Sequence, residues 1–232
     1  MVFVSFIEAS FHKLADSNGM SLNQFHGERV CRSLNDLHPM LRIFHHHADL
    51  VRVSKHSRKE FVPKPQAASR FHSLMHRGDV FLTDPHFSKR ALIPARAVPP
   101  GLPIGSIPAD AFAVVSHNHY DHLDEATVTG LPASVGWYVP KGLAGWFEDR
   151  GRADVTELDW WESARRGRFT ITCLPSQHWS RRIGQGENES LWCAWLVDSG
   201  DYRYFFAGDT GYFEGFAEYG RRFAPIDVAM LP

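Results

Sequence analysis

Ser116-His117-Asn118-His119-Tyr120-Asp121-His122-Leu123-Asp124 is the stretch that decides how this chain reads. Three histidines and an aspartate fall within six residues, just past Ala111 to Ser116, an apolar segment that reads as a strand. In extended backbone His117 and His119 project to the same side. Asp121 and His122 then sit at the turn into the next helix. Imidazole and carboxylate are donors that a borderline metal such as zinc accepts. Two ligand pairs in one turn suit two ions roughly 3.5–4 Å apart, the spacing used by two-metal hydrolases. One histidine would read as part of a polar surface loop; four ligand-capable side chains at this spacing read as metal.

Two further donors follow the same plan. His178 lies in Pro-Ser-Gln-His-Trp, after a strand ending at Leu174, and Asp209 lies in Phe-Ala-Gly-Asp-Thr-Gly-Tyr, after a strand over Tyr202 to Ala207. Each stands just beyond a strand end, where loops converge on a site. Either alone would read as a structural histidine or a turn aspartate. Asp-Thr-Gly also occurs in aspartic proteases, but that chemistry needs a second aspartate to share the proton. The motif occurs once here.

Around these motifs the chain is orderly from Gly78 onward. Strands are predicted over Asp79 to Thr83, Val135 to Val139, Val155 to Leu158, Arg168 to Leu174 and Leu191 to Val197. Helices are predicted over Asp124 to Thr129 and Gly142 to Arg150, with Gly151 as the C-terminal stop. Ser199-Gly200-Asp201 reads as a hairpin turn. Leu191 to Val197 is apolar at every position bar none, so it is predicted to be buried on both faces, as in a layered α/β structure.

Residues 1–77 read differently. Nine of the 14 histidines lie there, with His45-His46-His47 as a run. Pro39 to Val53 is a candidate helix with untidy apolar spacing, Lys59 to Pro65 a candidate linker, and the whole a polar, partly disordered leader. The 232 residues carry a net charge of -1, which argues against a nucleic-acid surface. Cys31, Cys173 and Cys193 form neither a disulfide framework nor a thiolate zinc site, which favours a reducing, cytoplasmic setting. No apolar run approaches the roughly 20 residues of a membrane-spanning helix, although peripheral membrane contact stays open.

The order HxHxDH, then one histidine, then one aspartate resembles the metallo-β-lactamase superfamily. LTDPHFSKRA from Leu82, SHNHYDHLD from Ser116, PSQHWSRR from Pro175 and FFAGDTGY from Phe205 are similar to the branch of N-acyl-phosphatidylethanolamine-hydrolysing phospholipase D. The likeness runs from about Gly78 to Pro232. It implies an αββα sandwich, with residues 78–232 as the hydrolase domain. It implies that His117, His119 and His178 hold one zinc, that Asp121 and His122 help hold a second, and that Asp209 bridges both. Asp84 matches a family aspartate near the metals and is read as orienting a ligand histidine. Tyr120 matches a residue beside the substrate, or it packs the loop.

The resemblance also implies a further histidine ligand downstream of Asp209, but no histidine follows His178. Six of seven family donors are therefore expected, on a sandwich lacking its C-terminal part. The implied activity is dinuclear zinc hydrolysis by a metal-bridging hydroxide, with Asp121 orienting it and taking up a proton. The substrate is expected to be a phospholipid or small-molecule phosphodiester; a lactonase or other ester or amide hydrolase, and an inactive metal-binding fragment, are the alternatives. Arg181 and Arg182 either pair with a phosphate or form a solvated basic turn. Trp179, Tyr212, Phe213, Phe216 and Tyr219 are expected to be mostly core.

Overall fold

The computed structural model describes residues 41–45 and 72–232, which belong to one compact unit. The linker expected at Lys59 to Pro65 and most of the leader expected over residues 1–77 lie outside the described residues; within that leader Leu41–His45 and His72–His76 are strands. Two sheets make the centre. The first runs β1 (Leu41–His45), β2 (His72–His76), β3 (Asp79–Thr83), β4 (Phe112–Val114), β5 (Gly136–Pro140) and β6 (Val155–Leu158), paired in that order. Its first three strands are antiparallel and its last four parallel. The second is ordered β11-β10-β9-β8-β7, from β7 (Ser163–Arg166), β8 (Phe169–Leu174), β9 (Ala194–Asp198), β10 (Arg203–Phe206) and β11 (Val228–Met230).

Side-chain alternation turns these sheets into four layers. In β3, Val80 and Leu82 face outward and join Val128, Leu131, Leu143 and Phe147 from around helices α1 (Glu125–Gly130) and α2 (Ala144–Glu148). Phe81, between them, points at the other sheet. Between the sheets it stacks on Phe112 of the neighbouring β4 at 5.3 Å and meets Tyr204 of β10 edge-on at 5.3 Å. Phe112 in turn lies 5.2 Å from Phe169 of β8. On the far side Leu174, Leu196 and Phe205 pack under Tyr219 of α3 (Gly215–Phe223). The strand period of two therefore supplies one face to the partner sheet and one to a helical layer. The result is the αββα sandwich that the sequence implies.

Several element boundaries move, each for a tertiary reason. Within Pro39 to Val53 the described residues Leu41–His45 form a strand, not a helix; they pair residue by residue with His72–His76. The strand expected from Leu191 begins only at Ala194. Before it, Leu191 N donates to Lys141 O and Cys193 N to Ser116 O, both across to loops of the first sheet. Those residues are apolar because they bridge the layers, not because they extend β9. Strands β7 and β11 and helix α3 were not predicted. β7 (Ser-Ala-Arg-Arg) is a partly exposed edge strand with no buried face to give it an apolar pattern. The hairpin at Ser199–Asp201 forms as expected, with Gly200 at φ 85°.

Candidate metal centre

Four loops leave the C-terminal ends of β3, β4, β8 and β10 and carry Asp84, the 116–124 segment, His178 and Asp209. β3 and β4 run parallel; β8 and β10 are both antiparallel to β9 and so parallel to each other. Their C-terminal ends therefore gather the candidate ligands on one rim. Helix α1 fixes the loop from below: Asp124 is its N-cap and accepts from Thr127 N at 3.2 Å. Arg182 holds it from the side. Its buried guanidinium donates to Asn118 O at 3.2 Å and Leu123 O at 2.8 Å, and lies 4.2 Å from the Tyr120 ring centre. The expected phosphate-pairing role thus does not suit Arg182, whose charge is spent on the loop. Arg181 is exposed; its backbone N–H donates to Asn118 Oδ1 at 2.8 Å.

Three imidazole nitrogens converge. His117 Nε2 lies 2.8 Å from His119 Nδ1, and His178 Nε2 lies 3.2 Å from the same atom. Neighbouring donors in a tetrahedral zinc site with metal–nitrogen bonds of about 2.0–2.1 Å are roughly 3.3 Å apart. The next group is a cluster around His122: its Nε2 is 3.3 Å from Asp209 Oδ2 and 3.6 Å from Asp121 Oδ2. Asp209 Oδ2 also lies 3.9 Å from His178 Nε2, so this carboxylate stands between the two clusters.

Asp84 organises both clusters from behind. It is fully buried, with φ 42°, and Oδ1 accepts from Ser116 N at 2.6 Å. Its Oδ2 accepts from Ser116 Oγ at 2.5 Å and faces His122 Nδ1 at 2.6 Å. Ser116 Oγ in turn lies 2.8 Å from His117 Nδ1. With the hydroxyl proton given to Asp84, Ser116 accepts from His117 Nδ1–H, which leaves Nε2 unprotonated and turned into the cluster. The same logic protonates His122 on Nδ1 and frees its Nε2. Asp84 has spent its oxygens on these contacts, so it suits an orienting role better than a ligand's. Ser116 is the residue that sequence reading left without a role. Its polar side chain ahead of the HxH pair was the available signal.

Electrostatics fit a cation. Burial, then the neighbouring imidazoles, holds His117 well below the usual histidine range. Burial likewise lowers His119 and His178. Neutral imidazole is the ligand form. Burial pulls His122 down too, but hydrogen bonds to Asp209 and Asp84 outweigh it and raise this histidine well above its ordinary value. Asp209, which burial alone would raise, ends low because of His122, His178 and His119. A proton on His122 thus sits between two carboxylates, in surroundings that favour positive charge. The donor set is nitrogen-rich with carboxylates and lacks thiolates, so it fits zinc, and also iron or manganese.

Gly208 explains the glycine before Asp209. Its φ is 58°, and a Cβ there would lie 2.5 Å from Ser116 Cβ. Only glycine lets the Asp209 loop lie against Ser116. Of the aromatic residues, Tyr219 is buried and Phe213 and Phe216 pack against the core of Leu174, Leu196 and Phe205, whereas Trp179 and Tyr212 are exposed. Trp179 lies 4.4 Å from the His119 ring and, with Tyr120 and Asp121, lines a cleft of about 780 Å³ that opens beside the donors. Tyr120 also packs the loop, its hydroxyl accepting from Ile183 N at 3.3 Å.

Residues 80–232 match the family described as Beta-lactamase superfamily domain. The chain belongs to the β-lactamase superfamily. Within it, the phospholipase-D-like branch holds. The chain is 40% identical over 173 residues to N-acyl-phosphatidylethanolamine-hydrolyzing phospholipase D 1 of Caenorhabditis elegans, covering 67% of this chain and 49% of that protein. It is 35% identical over 172 residues to the mitochondrial N-acyl-phosphatidylethanolamine-hydrolyzing phospholipase D of Saccharomyces cerevisiae, covering 68% of this chain and 36% of that protein. The chain thus spans half or less of these relatives' length. Among solved folds, an isothiocyanate hydrolase from Delia radicum gut bacteria matches with a TM-score of 0.53 at 20% identity, covering 67% of this chain and 65% of that one. In this β-lactamase superfamily chain no described helix is long and apolar enough to cross a membrane.

Proposed function

We propose that this chain is the metal-binding part of a dinuclear, zinc-dependent hydrolase that cleaves phosphodiesters of the phospholipid class. The observation that carries the reading is the pair of donor clusters, His117–His119–His178 and Asp121–His122–Asp209, with Asp209 between them and Asp84 behind both. In this reading the six residues are the ligands. When bound, such a metal pair lowers the pKa of water from about 15.7 towards 7 and neutralises charge on a phosphoryl group.

The chain's own residues supply the rest. Asp121, half-exposed at the cleft, is placed to orient the attacking water and accept its proton. Tyr120 and Trp179 wall the cleft beside the donors and limit water around the reacting group. Arg181, exposed on the same wall, can pair with a phosphate oxygen, while Arg182 keeps the loop in place. The two relatives named as hydrolysing N-acyl-phosphatidylethanolamine favour a phospholipid, and the apolar walls suit acyl chains.

Elemental analysis of purified protein is expected to give two zinc ions per chain; none would sink the hydrolase reading, and iron or manganese would correct the metal. A bis-aryl phosphodiester is expected to be hydrolysed by the loaded chain. Turnover of a lactone alone would move the protein to the lactonases of the same scaffold. His117→Ala is expected to abolish metal retention and turnover with modest loss of fold, and persistent turnover would refute the ligand assignment.

A further inference from the structure

Asn118 stands between two candidate ligands, His117 and His119, and is fully buried. In extended backbone neighbouring side chains point to opposite sides, so a residue between two donors that share a side turns away from them. Its side chain enters the 180–190 loop instead. Asn118 Oδ1 accepts from Arg181 N at 2.8 Å, and Asn118 Nδ2 donates to Gln185 Oε1 at 2.9 Å. The amide orientation is forced from one end. A backbone N–H can only donate, so the atom that meets Arg181 N is the oxygen, and the nitrogen is left for Gln185.

That loop is one wall of the cleft, lined by Arg181, Ile183, Gln185 and Glu187. It is braced internally. At its base Asn188 N donates to Ser180 O at 2.8 Å and Ser180 N to Asn188 Oδ1 at 3.0 Å. At its tip Gln185 N donates to Arg182 O at 2.9 Å, around Gly184 at φ 84°. A wall braced in this way shifts as a piece, so its placement depends on the bonds that join it to the donor segment. Arg182 reaches Asn118 O and Leu123 O, and Ile183 N donates to the Tyr120 hydroxyl at 3.3 Å. The Asn118 side chain adds a bond on each side of the tip. One of them fixes the backbone of Arg181, from which an exposed guanidinium leaves for the cleft.

We propose that Asn118 is a positioning residue for substrate, setting the distance between the donor clusters and the wall that carries Arg181. The inference rests on reading the cleft as the place where a phosphodiester binds. The ligands themselves make no use of this amide, whose two polar atoms both go to the wall. A wall released from Asn118 samples placements in which Arg181 does not reach the phosphate. Apparent affinity then falls in proportion to the competent fraction. The chemical step depends on groups that point the other way along the same segment, and it keeps its rate.

The test compares the zinc-loaded full chain with Asn118→Ala, Gln185→Leu, Arg181→Ala and the double variant Asn118→Ala/Arg181→Ala. Zinc content, kcat and KM for a bis-aryl phosphodiester are measured. So is the Kd of diphenylphosphinate, a diaryl phosphorus anion with no ester bond to cleave, by calorimetry. Asn118→Ala is expected to raise KM and Kd roughly three- to tenfold, with kcat and zinc content unchanged. Gln185→Leu breaks the same tie from outside the donor segment and is expected to act in the same direction. It decides the matter should Asn118→Ala lose its circular dichroism. With Arg181 already replaced, Asn118→Ala is expected to add little, because the group it places is gone. A fall in kcat together with zinc overturns the proposal, since Asn118 would then be supporting the ligands. Unaltered KM and Kd in both single variants overturn it too, as does a full effect of Asn118→Ala in the Arg181→Ala background. Diphenylphosphinate binding needs no turnover. A chain that binds it with this dependence on Asn118 but cleaves nothing refutes the catalytic reading alone, whereas a wild type that binds none overturns the proposal.

Discussion

Asp84 Oδ2 lies 2.6 Å from His122 Nδ1, and through the Ser116 hydroxyl the same carboxylate reaches His117. One buried side chain therefore sets the ring orientation and tautomer of a histidine in each donor cluster. Asp84→Asn keeps the size and tolerates φ 42°, because asparagine enters the left-handed region readily. It removes the negative charge and one acceptor. The expected result is a metal affinity lower by about 10–100-fold, read by competition with a chromophoric chelator. Unchanged affinity would show that the ligands orient themselves.

The backbone approach behind Asp209 is as restrictive. Gly208→Ala places a methyl 2.5 Å from Ser116 Cβ at a positive φ. A left-handed alanine costs about 1–2 kcal/mol, and overpacking typically adds about 1–3 kcal/mol. Denaturant unfolding is expected to show a loss of at least about 2 kcal/mol, with metal content falling because both Ser116 and Asp209 must shift. A neutral substitution would mean the loop slides freely.

The two adjacent arginines should separate cleanly. Arg182→Ala removes donors from Asn118 O and Leu123 O and leaves those carbonyls short of partners, a loss of about 2 kcal/mol in unfolding free energy. Arg181→Ala is expected to leave stability within about 0.5 kcal/mol and to raise KM for an anionic phosphodiester. Similar stability losses in both variants would contradict this division.

His76 gives a pH signature away from the metal. It is buried between the sheets, its Nδ1 3.0 Å from the Tyr204 hydroxyl and its Nε2 3.6 Å from Asp201. Burial, then the Arg168 charge, lowers its pKa below 6.5 despite Asp201. The unfolded chain therefore takes up the proton first. The stability tied to neutral His76 is full above the unfolded value and is lost as pH falls through about 6.5 towards the folded value. His76→Gln keeps an acceptor for Tyr204 without titrating, so its unfolding free energy is expected to fall less than wild type's between roughly pH 7 and 5. Parallel pH curves would remove His76 from the balance.

The candidate donors were legible in the sequence because ligand chemistry is written in residue type and local spacing. HxHxDH puts four donors on one strand-to-helix turn, and His178 and Asp209 stand just past strands that the apolar alternation marks. Layered α/β burial was legible in the unbroken apolar run Leu191 to Val197, whereas the αββα sandwich was what the family resemblance implied; the structure shows Val80 and Leu82 facing a helical layer and Phe81 the opposite sheet.

Tertiary structure alone decided what no local pattern encodes. The strand at Leu41–His45 exists through pairing with His72–His76, and β7, partly exposed along its length, through pairing with β8. Arg181 and Arg182 are neighbours of one residue type, yet one is exposed and the other is consumed by two carbonyls 64 and 59 residues away in sequence. Leu92, Ile93 and Ile183 meet at one cleft only because the loops fold together. Sequence spacing named the chemistry, since a metal selects donor atoms. Packing over long chain separations chose which polar groups orient those donors and which apolar groups stay exposed beside them.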